Sequence, residues 1–494
     1  MTSTASVAAD ATPDVRWTPR LWGALIVLCG ALFLDGLDVS MVGVALPSIQ
    51  TDLHLSTSTL QWVVSGYVLG YGGLLLLGGR AADLLGRRRV FLIAVAVFAA
   101  ASLLGGIVSS GPLLIVARFL KGVGAAFTAP AGLSIITTTF PEGPARNRAL
   151  SIYTATGASG FSLGLVLGGL MTEVGWRWTF LLPVPIALAV LAFGSVLIPR
   201  DPAQERTGGY DLPGAITGAA ATLLLVYTVV EAPSYGWASL RTIGSFALVA
   251  AIVATFVAIE RRVAHPLVPL GIFRNTALVR ANLGAMAMFG AYASFQFIGT
   301  LYMQNLLGWS PLEMALAFLP AGLLVAFGGP RVGGLVNRFG PGKVIFAGFL
   351  AFVPGYALFL PIGQHPVYAL AILPTILLLG VGFALTFPSL NIQATAGVAN
   401  HEQGLASGLV QSSIQVGGAV VLAVVTAVLE AGAGDKTPSA VLDSYRPGLA
   451  VVAGVAALGL AIAAFGLRRP RRPVEEEAWD GAGEEPEFAL AAAE

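Results

Sequence analysis

Two acidic residues, Asp35 and Asp38, lie three positions apart in the middle of an apolar stretch that runs from residue 21 to residue 49. A helix rises about 1.5 Å per residue, so this stretch is long enough to cross a bilayer. At a spacing of three, both acids lie on one side of that helix. A lone charge at mid-bilayer costs roughly 2.5 to 3.5 kcal/mol on insertion scales. The pair therefore indicates a functional site unless other charges pair with it.

Two basic residues, Arg118 and Lys121, show the same spacing in the fourth apolar stretch. If the first helix runs outward and the fourth runs inward, residues at equal depth have numbers with a constant sum. Depth then predicts the pairs Asp38 with Arg118 and Asp35 with Lys121. Two interpretations stay open. Either the four residues form a structural double salt bridge, or Asp38 carries a proton. In the second case Asp35 and Lys121 tune the proton affinity of Asp38, form a second coupled site or are a static pair.

The composition predicts an integral membrane protein. The chain has 494 residues, of which 56% are hydrophobic and 11% are charged, and its mean hydropathy is +0.81. Soluble domains carry about 25% charged residues. Cys29 is the only cysteine, which excludes a disulfide within the chain. Residues 1–20 lack the pattern of a cleavable signal, so we expect the first helix to be an uncleaved insertion signal.

Apolar segments of spanning length recur along the chain, which predicts an all-α integral membrane fold with 14 transmembrane helices. They lie at about residues 21–48, 58–78, 89–109, 112–136, 148–172, 177–198, 212–231, 243–260, 277–303, 312–331, 343–363, 367–395, 404–430 and 447–467. Of the 27 Lys and Arg residues, two are the pair in the fourth segment, and four fall in loops on one side: Arg177, Arg241, Lys436 and Arg446. The others fall on the opposite side, so the positive-inside rule predicts an even number of spans with both termini in the cytoplasm. We expect a multi-pass protein of the cell's inner (plasma) membrane.

A short sequence motif occurs twice in the chain, which predicts two homologous halves. Gly79, Asp83 and Gly86 follow the second segment, and Gly333, Asn337 and Gly340 follow the tenth at the same spacing. If each half has six core helices, the seventh and eighth segments are inserted between them. The predicted organisation is a cytoplasmic tail at 1–20, a six-helix bundle at 21–199, a linker with two inserted helices at 200–276, a second six-helix bundle at 277–467 and a cytoplasmic tail at 468–494.

These features resemble the major facilitator superfamily and, within it, the fourteen-helix drug:proton antiporters. The resemblance covers residues 22–467 and rests on short motifs at 37–47, 79–89, 118–126, 176–180, 302–311 and 404–408, and on the glycines Gly160, Gly164, Gly168 and Gly169. Two positions depart from the family pattern. Lys121 stands where Gln is usual, and Leu165 stands where a proline usually follows the second glycine.

The resemblance implies roles for two of these motifs. The residues Gly79, Asp83, Gly86 and Arg87 would form the latch that gates the transporter, with Asp83 pairing across the two halves. The alternative for this loop is a plain positive-inside anchor. The four glycines would form the helix-packing motif of antiporters, and tight packing without a role in exchange is the alternative.

Substrate contacts are predicted from the helices that line the cavity in the family. An apolar cavity with few polar groups suits amphipathic drugs. The candidates are Trp62, Tyr67, Gln296, Asn391 and Gln393. Packing against lipid or a place in the interfacial aromatic belt is the alternative for the aromatic residues.

The predicted function is a proton-coupled exporter, or antiporter, of hydrophobic or cationic small molecules such as drugs or antibiotics. A lipid or metabolite transporter of the same fold, working by symport or without coupling, is the alternative. An enzyme is disfavoured because the four histidines lie on separate loops and no phosphate-binding loop is present. We expect a monomer whose partners are a small-molecule substrate, protons and the lipid bilayer, with no cofactor, no metal and no nucleic acid.

Overall fold

The computed structural model describes residues 17–140, 144–200, 211–264, 266–398, 403–431 and 437–467. Within these ranges all regular structure is helical, and no strand is found. The α-helices are α1 Pro19–Asp52, α2 Thr57–Leu85, α3 Arg87–Ile107, α4 Gly111–Thr139, α5 Pro144–Val174, α6 Trp178–Leu181, α7 Pro183–Leu197, α8 Leu212–Tyr235, α9 Leu240–Glu260, α10 Thr276–Leu301, α11 Pro311–Gly328, α12 Val332–Phe339, α13 Pro341–Phe359, α14 Leu373–Thr395, α15 Gln403–Ala431 and α16 Pro438–Leu467. Most of the predicted tails, at 1–16 and 468–494, lies outside the described residues.

The predicted all-α membrane fold is confirmed. Among the described residues, 11 helical segments are long and apolar enough to cross a membrane. Three other long helices, α2, α5 and α10, coincide with predicted segments but are not among those 11. The total of fourteen spans and the side on which the termini lie therefore stay predictions.

The second predicted segment ends too early, at residue 78. In the structure α2 continues to Leu85, so the motif that begins at Gly79 forms the last turns of this helix rather than a loop. The chain turns at Gly86, which has φ 92° and ψ 128°. Gly340, the corresponding residue in the second copy of the motif, lies between α12 and α13 and has φ 81° and ψ 152°. Only glycine adopts this conformation readily, which explains why both copies of the motif keep it.

Side-chain polar caps fix where several helices begin. The hydroxyl of Ser56 accepts the backbone N–H of Thr59 at the start of α2. At the start of α11, Ser310 and Glu313 form a capping box in which each side chain accepts the other residue's backbone N–H. Such caps satisfy N–H groups that a helix leaves without partners at its first turn.

The helices pack as two groups joined along two seams. In the first group α1 lies along α5, and α4 lies between α2 and α3; in the second, α10 lies along α15, and α13 packs on α14 and α16. The seams are formed by α5 with α11 and by α2 with α15. The helices α8 and α9 pair with each other, and α8 covers the seam of α2 and α15. Most of α9 is exposed, as expected of a helix whose apolar sides face lipid.

Candidate functional site

Asp38 is the centre of a buried charge cluster. Its side chain is fully buried, and each carboxylate oxygen accepts a hydrogen bond from a different cation. The guanidinium of Arg118 donates Nη1–H to Oδ2, and the ammonium of Lys121 donates to Oδ1. Both cations come from α4 and are themselves buried. The predicted pairing of Asp38 with Arg118 is thus confirmed.

The predicted pairing of Asp35 with Lys121 is wrong, because Lys121 contacts Asp38 instead. Equal depth does not decide which way a side chain points. Residues three apart on a helix differ by about 60° around its axis, and this rotation carries Asp35 away from α4 towards α2. There the hydroxyl of Tyr67 donates a hydrogen bond to its Oδ1. Asp35 remains partly exposed, unlike Asp38.

The two cations are also held by groups other than Asp38. Arg118 donates Nε–H to the carbonyl oxygen of Val63 at 2.9 Å, and its Cζ lies 4.6 Å from the centre of the Tyr67 ring. The ammonium nitrogen of Lys121 lies 4.8 Å from the ring centre of Phe98. Cation–π contacts of this kind stabilise a charge that has lost its water. These contacts fix both cations against the carboxylate.

A cavity of about 70 Å³ adjoins the cluster, between α1, α2, α10 and α15. Its wall is mostly apolar, and Arg118 is the only charged residue among the described residues that line it. The polar side chains in the wall are those of Tyr67, Ser65, Gln296 and Gln415. The Oγ atom of Ser65 and the Nε2 atom of Gln296 are buried and have no hydrogen-bond partner among the described residues. A few unpaired polar atoms in an apolar wall are typical of a site for an amphipathic ligand.

The structure divides the five predicted substrate contacts. Tyr67 and Gln296 line the cavity, and the other three do not. The Nε1–H of Trp62 donates to Oε1 of Glu231 on α8 at 2.8 Å. Asn391 donates to a carbonyl one turn back on its own helix, and Gln393 donates to the carbonyl of Ala277 on α10. Sequence alone did not single out Ser65, Gln415 or Glu231.

The four glycines of the predicted packing motif lie along two different contacts of α5. Gly160, Gly164 and Gly168 face α1, where an added Cβ would meet Phe33, Leu37 with Ser40, and Met41 respectively. Gly169 instead faces α11, where an added Cβ would lie 2.9 Å from Cα of Leu312. The first three glycines therefore bring α5 against the turns of α1 that carry the two acids.

The residues of the predicted gate are placed less completely. An added Cβ at Gly79 would lie 3.6 Å from Cβ of Pro130, so α2 runs close to α4 at this point. Arg87 is the first residue of α3, directly after the turn at Gly86. The side chain of Asp83 lies outside the described part of the chain.

The two groups of helices meet on the side of the molecule where α1 ends. We call this the Asp52 side, since Asp52 accepts hydrogen bonds there from Trp176 and Arg177, each at 2.9 Å. The Nε2–H of Gln304 donates to the carbonyl of Val44 at 2.8 Å, and α5 touches α11 at Gly169. These contacts join the two groups between the cavity and the Asp52 side.

Comparisons with known proteins agree with one another. The profile of the Major Facilitator Superfamily matches residues 28–422. The puromycin resistance protein pur8 of Streptomyces alboniger is 39% identical over 429 residues, which cover 85% of this chain and 83% of that protein. The cephamycin export protein CmcT of Amycolatopsis lactamdurans is 37% identical over 460 residues, which cover 92% of this chain and 94% of that protein.

A solved structure extends the likeness to three dimensions. The POT family transporter PepTSo aligns with a TM-score of 0.67 over 92% of this chain and 98% of its own, at 18% sequence identity. At this sequence identity the structural match shows that the two chains share a fold and nothing more.

Proposed function

Since this chain belongs to the Major Facilitator Superfamily, and is a multi-span membrane transporter rather than an enzyme, we propose that it exports hydrophobic or cationic drug-like molecules in exchange for protons. The observation that carries the proposal is the contact between a buried charge cluster and an apolar cavity. Arg118 belongs to both, because it pairs with Asp38 and lines the cavity. A ligand in the cavity therefore touches the group that holds the acid.

The substrate class rests on the relatives and on the cavity wall. Relatives that share most of their length with this chain are a puromycin resistance protein and a cephamycin export protein. The wall of this cavity is apolar with a few polar atoms. The chemistry of such a wall suits antibiotics and similar amphipathic molecules. The bacterial plasma membrane is the setting that agrees with these relatives.

Coupling follows from the charge that the cluster carries. With both acids ionised, Asp35, Asp38, Arg118 and Lys121 sum to zero; one proton leaves a net positive charge. A cationic ligand beside Arg118 is then repelled by the protonated cluster and accepted by the neutral one. Proton and substrate bind in alternation, so the proton gradient drives export. Each charge that crosses contributes about 2.3 kcal/mol per 100 mV.

Alternating access follows from the two seams. We assign the two helical bundles to residues 21–199 and 277–467 and the insert to residues 200–276. We place both tails on the cytoplasmic side and take the monomer as the functional unit. In the present conformation contacts join the two groups near the Asp52 side. Opening there requires α5 to leave α11, and the motif of Gly79, Asp83, Gly86 and Arg87 then holds the opposite side shut.

Proteoliposomes test this function. Vesicles with an acidic lumen hold the purified protein, and lumenal pH is recorded as puromycin, a cephamycin or ethidium is added outside. Drug-triggered proton efflux is expected with the wild type and with Asp443→Asn, which alters an exposed ion pair far from the cluster. It should vanish when both Asp35 and Asp38 are replaced by Asn. Uptake of radiolabelled drug by the wild type without proton efflux would contradict exchange and favour an uncoupled transporter of drugs, lipids or metabolites.

A further inference from the structure

We propose that Asp35, rather than Asp38, is the carboxylate that gains and loses the exchanged proton. A ligand in the cavity changes the surroundings of Asp35 through Tyr67. This inference rests on the proposed function and specifies how its proton is carried. The two acids share a helix face in the sequence, yet the structure gives them opposite surroundings.

Asp38 is placed to stay ionised. Each of its oxygens already accepts a hydrogen bond from a cation, and the side chain is fully buried. Protonating it would break at least one of these bonds and leave Arg118 and Lys121 buried without their anion. Removing one partner of a buried ion pair is strongly destabilising, because the remaining charge is left buried and uncompensated. Asp38 thus serves as the fixed anion that holds two cations of α4 beside the cavity.

Asp35 meets the opposite conditions. The hydroxyl of Tyr67 on α2 donates a hydrogen bond to it, Tyr71 of the same helix lies near it, and no described cation forms an ion pair with it. Its side chain is partly exposed, so water can deliver and remove a proton. A neutral acid still makes hydrogen bonds with hydroxyls, because its own O–H can donate to the oxygen of Tyr67. Both protonation states therefore keep a hydrogen-bonded partner.

Tyr67 connects this acid to the cavity. Its hydroxyl donates to Asp35, its ring lies 4.6 Å from the guanidinium carbon of Arg118, and its side chain forms part of the cavity wall. A ligand that moves the ring withdraws the hydroxyl from Asp35. Tyr71 makes a second link, since it reaches both Asp35 and Gln411 of α15. Movement of α2 against α15 therefore also changes the surroundings of Asp35.

The proton balance is simple. An O–H bond forms on Asp35 when water on the outer side supplies a proton, and the group of four charges becomes positive. The bond breaks when the proton returns to water on the cytoplasmic side, and the neutral group then accepts substrate. The titratable and charged groups that face Asp35 are Asp38 on α1, Tyr67 and Tyr71 on α2, Arg118 and Lys121 on α4 and Tyr153 on α5.

Proton release on ligand binding tests the assignment. Full-length protein in detergent micelles is titrated with puromycin or ethidium in weakly buffered solution containing a pH indicator. The wild type and Asp443→Asn should release up to one proton per ligand bound, and their apparent Kd should change by up to about tenfold per pH unit. With Asp35→Asn we expect binding without proton release and a Kd that no longer depends on pH. Asp35→Glu should restore release.

The outcomes separate this inference from the proposed function. Wild-type protein that binds ligand without releasing protons overturns both. Release that persists in Asp35→Asn overturns the assignment to Asp35 and leaves proton exchange standing. If Asp35→Asn does not fold, Tyr67→Phe carries the test, because loss of the hydroxyl should move the pH dependence while release continues. An unchanged pH dependence in that variant overturns the link.

Discussion

Replacing Gly164 with alanine should separate α5 from α1 next to the charge cluster. An added Cβ would clash with Oγ of Ser40 and would lie 2.7 Å from the carbonyl oxygen and 2.9 Å from Cα of Leu37. The hydroxyl can rotate away, but the backbone of Leu37 cannot. The helices must move apart by about 0.7 Å before the closest backbone contact reaches an ordinary distance. Leu37 precedes Asp38, so the ion pairs of Asp38 should stretch as well.

The expected cost follows from two opposing effects. Overpacking a tight interface typically costs about 1 to 3 kcal/mol. Alanine is better than glycine inside a helix by up to about 1 kcal/mol, which offsets part of that cost. We therefore expect Gly164→Ala to lower the thermal unfolding midpoint of the protein in detergent and to slow drug-driven proton flux in proteoliposomes.

Two further variants identify the cause. Gly333→Ala is the control, because none of the described residues has an atom within 4 Å of a Cβ added at that glycine; it should unfold at or slightly above the wild-type temperature. Adding Ser40→Ala to Gly164→Ala removes the hydroxyl clash only, so it should not restore stability. A Gly164→Ala protein with wild-type stability and flux would refute the reasoning from helix contact.

Three other substitutions have different expected results. Gly169→Ala should leave the α1 contact intact and weaken closure of the Asp52 side, because its Cβ would press on Leu312 of α11; a cysteine introduced into the cavity wall should then react faster with a thiol reagent applied from that side, and an unchanged labelling rate would contradict this. Arg118→Lys should lower the thermal unfolding midpoint and the drug-driven proton flux. The reason is that a single ammonium cannot reach both the carboxylate of Asp38 and the carbonyl of Val63, which two different N–H groups of Arg118 contact. A midpoint and a flux equal to those of the wild type would contradict this. Trp62→Phe should change apparent ligand Kd less than twofold, because its indole N–H binds Glu231 outside the cavity; a large change in Kd would place the ligand elsewhere.

The sequence predicted the depth of the charged residues better than their direction. Counting residues from opposite ends of antiparallel helices placed Asp38 level with Arg118, and the structure pairs them. The same count paired Asp35 with Lys121, which the structure contradicts. Depth depends on the number of residues, whereas direction depends on how α1 is rotated against α2, α4 and α5. Hydropathy does not record that rotation.

The same limit applies to the predicted substrate contacts. Trp62, Asn391 and Gln393 were predicted from their residue types, yet the side chain of each forms a hydrogen bond away from the cavity. Ser65 and Gln415 line the cavity, but nothing in their type or spacing distinguishes them from polar residues elsewhere in the helices. Glycines were more informative, because Gly86 and Gly340 share a positive φ that few other residues tolerate. Their equal spacing within the two motifs is the basis of the predicted homologous halves.

Drug accumulation driven by a pH gradient alone tests the central claim most directly. Proteoliposomes with an acidic lumen are clamped at zero membrane potential, and uptake of radiolabelled puromycin is followed to steady state. Exchange of one proton per drug predicts accumulation of up to about tenfold per pH unit, lost when the gradient is dissipated. Entry of the drug through the protein that stops at equal concentrations inside and outside, with the gradient intact, would contradict proton-driven export.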